Sequence, residues 1–168
     1  MEKVKNNGFT LVELLLYITV ASTLLLAVVM FWGSLQEVGV SNSVVSEVNQ
    51  EATRVMQEIT QAVRNAEGIT TPSAGGSGAT LTLDVVDSGD DPTTYAVSGG
   101  ILQVTEGSST YDLTSSKVTI SGLTFENLSR TDTPGVVQIS FTLSYNNASG
   151  RTEYDYTADY RISASLRR

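Results

Sequence analysis

The chain contains no cysteine and no histidine among its 168 residues. Without cysteine no disulfide framework stabilises the fold, although an oxidising compartment stays permitted. Without either residue there is no imidazole base, no thiol nucleophile and no cysteine–histidine metal site. Positive charge is scarce: ten Lys and Arg against eighteen Asp and Glu give a formal net charge of −8. That balance is poorly suited to the phosphate backbone of nucleic acid, so no direct nucleic-acid partner is expected. Serine and threonine are abundant, yet none stands in a G-x-S-x-G elbow. Gly75-Gly76-Ser77-Gly78 lacks the lysine of a phosphate loop and reads as a linker. The expectation is a protein that is not an enzyme, with no catalytic residues and no cofactor.

Charge is also missing from one long stretch. Phe9–Trp32 is 24 residues with Glu13 as its single charged member. A helix over it would run about 36 Å, enough to span a bilayer with some tilt. Phe31 and Trp32 close the run where interfacial aromatics are expected, and Lys3 and Lys5 keep the preceding segment cytoplasmic while the rest goes outward. A carboxylate inside a membrane span costs roughly 2.5–3.5 kcal/mol at the centre and less near the interface. Glu13, at the entrance, therefore asks for a partner or snorkels to water beside the positive end of its helix. An ordinary secretory signal places its apolar region before the cleavage site. Here the short basic leader ends in Gly8, ahead of the apolar run, and a cut there keeps the run.

Gly8-Phe9-Thr10-Leu11-Val12-Glu13, with this leader and apolar run, resembles the N-terminal signature of the bacterial type IV pilin superfamily of pilins, minor pilins and type II secretion pseudopilins. The resemblance implies that a prepilin peptidase cleaves between Gly8 and Phe9 and methylates the Phe9 amine. Losing two lysines and one glutamate would take the net charge from −8 to −9. Glu13 then lies one helical turn from the new amine, at i+4. It can pair with that amine or with a neighbouring subunit's, and leaving either partner buried alone is the costly outcome. The resemblance implies the intersubunit pairing, an assembly role for Glu13. It also implies the partners: other pilin or pseudopilin subunits, the prepilin peptidase, the assembly platform and ATPase, and the membrane. The implied location is a single-pass inner-membrane protein with an exported C-terminal domain, found after assembly in a surface pilus or a periplasmic pseudopilus.

Beyond Trp32 the helical period continues. Val38, Val45, Val48, Ala52, Val55, Met56, Ile59, Val63 and Ala66 form one stripe opposite Asn49, Gln50, Arg54, Gln57 and Gln61. Gly68 and Pro72 predict the helix to stop near Glu67, and Gly33 and Gly39 are weak points within it. From Ala79 the period becomes two. Strands are expected over Thr80–Val86, Thr94–Val97, Ile101–Thr105, Thr110–Leu113, Lys117–Ser121, Leu123–Glu126, Val136–Tyr145 and Glu153–Leu166. Ser98-Gly99-Gly100 marks a tight hairpin and Asn146–Gly150 a second one. The expected class is α+β: a long N-terminal α-helix, membrane-spanning in its first half, packed by its second half on an antiparallel β-sheet. The expected divisions are leader 1–8, membrane or filament-core helix 9–32, amphipathic helix 33–67, Gly/Ser linker 68–79 and sheet domain 80–168.

Arg54–Ala66 looks like the helix end of larger minor pilins and J-type pseudopilins. The chain departs from many major pilins in carrying Met30 where they have a helix-bending proline, and in lacking a cysteine pair. A minor pilin or pseudopilin is therefore favoured. No metal is expected; Asp84, Asp87, Asp90 and Asp91 are weak calcium candidates, and Asp-Pro after a glycine already explains a turn there. Asn127-Leu128-Ser129 and Asn147-Ala148-Ser149 match the glycosylation triplet. The alternative reading is a single-pass exported binding domain never built into a filament.

Overall fold

The computed structural model describes residues 10–130 and 134–167. Its element order is α1 (Leu11–Asn65), then β1 (Gly68–Thr71), β2 (Ser77–Gly78), β3 (Leu81–Asp84), β4 (Thr93–Ser98), β5 (Ile101–Glu106), β6 (Ser109–Asp112), β7 (Val118–Asn127), β8 (Val136–Tyr145) and β9 (Thr157–Ser165). The class is α+β, a long N-terminal helix followed by antiparallel strands. Two compact units divide after Val40. The first holds the apolar start of α1. The second, from Ser41, holds the rest of α1 and all the strands.

In the second unit the stripe Val48, Ala52, Val55, Ile59, Val63 and Ala66 is buried. Its spacing of three and four residues lines one helix face. That face packs with inward side chains of both sheets, among them Leu81, Leu83, Tyr95 and Leu102 from one and Phe125, Ile139, Phe141 and Leu143 from the other. Each such large apolar side chain contributes roughly 1.5–3 kcal/mol on burial. α1 is helical through Gly33 and Gly39, and neither ends it. It stops at Asn65, where the chain turns back and the Glu67 N–H donates to Asp84 O at 2.8 Å.

The strands form two sheets among the described residues, not one: a five-stranded sheet in the order β1-β3-β4-β5-β6 and a four-stranded one in the order β2-β7-β8-β9. The β6 ladder ends because the buried Thr114 hydroxyl accepts the Leu102 N–H at 3.0 Å. Between the β4–β5 hairpin and β7 a backbone bond links the two sheets, Ile120 N–H to Gly100 O at 2.8 Å. Gly100 sits in the expected β4–β5 hairpin with φ 81°. A Cβ there would come within 2.9 Å of Thr119 Cγ2, so glycine is needed for conformation and for space.

The expected linker 68–79 needs correction, since β1 and β2 lie within it. β1 pairs with β3, and β2 pairs with β7 at Ser77↔Glu126 and Gly78↔Phe125. Backbone pairing is indifferent to small side chains, so a Gly/Ser composition does not prevent it. Three other strand bounds also shift. The two short strands around Ser121–Gly122 are one strand, β7, with a register shift between Ser121 and Thr124. β3 ends at Asp84 because the Asp91 carboxylate accepts the Val85 N–H at 3.3 Å. β9 starts at Thr157, later than expected. Asn147 Nδ2 donates to Arg151 O at 2.8 Å and to Asp155 Oδ1 at 2.6 Å, and Thr152–Tyr154 forms a 3-10 turn. Such side-chain bonds compete with a sheet ladder. Val136–Tyr145 is β8 with its expected ends.

Candidate assembly site

Gly8 and Phe9, with the leader before them, lie outside the described residues. Thr10 precedes the helix and caps it. Its Oγ1 accepts the Glu13 N–H at 3.2 Å and its carbonyl accepts the Leu14 N–H at 3.1 Å. A threonine three residues before a glutamate is the capping-box spacing, a signal that the sequence itself carries. The cap fixes Glu13 in the first turn, where the helix end carries partial positive charge. Among the described residues no cation pairs with the Glu13 carboxylate.

The surface behind Glu13 is apolar on every side of the helix. Leu11 is 76% exposed, and even Val20, among the more covered large apolar residues of this segment, is 50% exposed. Nothing in the described chain covers these side chains, and a continuous surface of this kind marks contact with lipid or with other helices. The segment is long and apolar enough to cross a membrane. Its serine and threonine hydroxyls between Thr19 and Thr23 need nothing from outside: Thr19, Ser22 and Thr23 donate to the carbonyls of Leu16, Ile18 and Val20 at 2.8, 2.7 and 2.9 Å. In a medium without water every polar group must be satisfied in this way. Phe31 and Trp32 are exposed near the far end of the run.

The remaining candidates sit in the second unit. Asp84 ends β3, and the loop after it is held by its own bonds. Asp87 Oδ1 accepts the Gly89 N–H at 2.9 Å, and the Asp90 carbonyl accepts the Gly107 N–H at 3.1 Å and the Thr93 hydroxyl at 3.0 Å. Asp91 serves Val85 as described. Among the described residues no three acidic side chains gather as ligands for a cation. Asn127 is buried in the strand-edge structure: its Nδ2 donates to Pro72 O at 2.7 Å, and its Oδ1 accepts the Ser129 N–H at 3.0 Å. Asn147 is half-buried and holds the β8–β9 loop.

Two grooves border the last turns of α1. The larger, of about 560 Å³, runs between Thr53–Asn65 and β9, with Ile162 and Arg167 on its far side. The smaller, of about 300 Å³, lies between Glu58–Asn65 and the loop after β3. Tyr95 lines the second groove. Burial first, then the negative charges of Glu58 and Glu106, push its phenol well above the ordinary value. Lys117 donates to Glu47 at 2.6 Å across the helix–sheet junction, and that bond and charge raise its ammonium. Tyr160 stacks on Phe141 and donates to Asn49 Oδ1 at 2.8 Å, tying β9 to α1.

Residues 3–29 match the family model described as the prokaryotic N-terminal methylation motif. No curated protein and no solved structure matches the chain.

Proposed function

Its N-terminal methylation motif makes this chain type IV pilin-like, and on that premise we propose that it is a structural subunit of a type IV pilus or type II secretion-like filament, a minor pilin or pseudopilin. The observation that carries the reading is the apolar surface from Leu11 to Leu35, exposed around the whole helix directly behind the capped Glu13. Such a surface suits two successive environments: lipid before assembly and neighbouring helices after it, both of them apolar. Prepilin peptidase removes Met1–Gly8 and methylates Phe9. Glu13 pairs with the Phe9 amine of the adjoining subunit and fixes register, because an unpaired charge in that core is strongly disfavoured. The assembly platform and ATPase supply the extraction of the helix from the inner membrane. The unit from Ser41 onward is exported.

N-terminal mass spectrometry on sheared filaments and on membranes tests this. The expected species in the filament fraction begins at N-methylated Phe9. An intact Met1–Gly8 leader in cells with active peptidase would sink the proposal. Glu13→Gln is expected to leave membrane insertion intact and to remove the chain from sheared filaments.

A further inference from the structure

The larger groove beside α1 and the exposed edge of the smaller one differ in chemistry in a way that fits them to each other. The larger has a half-buried apolar floor, Met56 and Ile162, rimmed by Arg64 and Arg167. Among the described residues neither guanidinium has an ion-pair partner. Thr53 in the same groove bonds back to Asn49 O at 2.8 Å, whereas the buried Thr60 hydroxyl has no hydrogen-bond partner there. On the other side of the helix, Val86 is 75% exposed and stands among Glu58, Asp87, Asp90 and Glu106. None of these carboxylates meets a cation among the described residues. An apolar knob ringed by carboxylates thus lies on one flank, and an apolar groove ringed by guanidinium groups on the other.

We propose that these are the two halves of one interface between copies of this chain. Val86 of one copy seats over Met56 and Ile162 of the next, with its carboxylate ring facing Arg64 and Arg167. Guanidinium and carboxylate match in planar, two-point hydrogen bonding, and a polar ring around an apolar contact excludes water from it. The two patches are different surfaces of the same subunit, so the contact is heterologous. Repeated, it extends an open helical assembly and does not close a dimer. The inference rests on the filament reading and adds to it the surface by which the exported units adjoin.

The absence of cysteine makes a direct test clean. Full-length chains carrying Thr53→Cys and Val86→Cys are produced singly and together, and sheared filaments are oxidised after the chain has been detected in them. A covalent dimer is expected only when both variants are present. Arg64→Glu in the Thr53→Cys chain should lower its yield roughly tenfold or more, as expected for loss of a charge-assisted bond. Glu58→Arg in the Val86→Cys chain should restore it. Filaments that contain the chain but give no dimer overturn the interface and leave the filament reading standing. Dimers from either single variant show a symmetric contact and overturn it too, as does cross-linking to a different subunit. A yield indifferent to Arg64→Glu removes the charge pairing. Absence of the chain from filaments overturns the filament reading and this interface together.

Discussion

Asn127 shows how much one polar side chain can hold. It lies 2% exposed at the end of β7, and its amide joins the Pro72 carbonyl to the Ser129 N–H. Its backbone also exchanges bonds with Gly75 and Gly76, which fastens the Gly-rich segment to the sheet. Asn127→Ala leaves buried groups without partners and is expected to cost about 1–3 kcal/mol in urea unfolding of the detergent-solubilised chain. Tyr95 gives a second residue-level outcome. An unfolded chain releases its phenolic proton near the ordinary value of 10.0, while the folded one retains it. This contribution to stability is therefore complete below pH 10 and is lost as the pH rises above it. Melting temperature should fall above about pH 10, and Tyr95→Phe should flatten that fall. Lys117 acts in the same direction, weakly, because it is exposed.

Among the elements, β7 is the one whose alternation is interrupted by a single extra residue. Val118 and Ile120 point inward before the register shift, and Leu123, Phe125 and Asn127 after it. Unbroken alternation through the extra residue would send the second set outward, and the bulge that takes up that residue restores its direction. Deleting Gly122 removes the extra residue and leaves Ile120, Leu123 and Phe125 alternating on one face in continuous register with β8. The chain is then expected to keep Phe125 in the core and to unfold cooperatively. Gly122→Ala keeps the register and strains only a φ of 61°, so a loss of about 1–2 kcal/mol is expected. Circular dichroism melts of the two variants check both outcomes. α1 presents the opposite case: its first part needs no tertiary partner within the described chain, while the part from Val48 to Ala66 is held by the core.

At the scale of the molecule, the division after Val40 separates a segment that needs an apolar surrounding from one that does not. The core cluster lies wholly between Val48 and Leu166, inside the second unit. A chain starting at Ser41 is therefore expected to be soluble and to unfold cooperatively. The full chain should require a membrane or detergent, which sedimentation of the two forms would establish.

The apolar helix from Leu11 to Trp32 and the class of the fold were legible in the residues alone. Absence of charge, the position of Glu13, the three-and-four stripe and the alternation of β8 are local patterns, and each follows from a neighbour a few residues away. The pairing of 68–71 and 77–78 into sheets was not legible, because backbone hydrogen bonds form without regard to small side chains. Nor was the split into two sheets, because which strands pair is set between segments distant in sequence, as where the Thr114 hydroxyl meets a backbone N–H twelve residues away at the end of the β5–β6 ladder. The same holds for Asn127, which reads as a modification triplet and is a buried tie to Pro72. The two grooves required the fold most of all: Val86 comes beside Glu58, and Ile162 beside Met56, only because the sheets carry distant segments to opposite flanks of one helix.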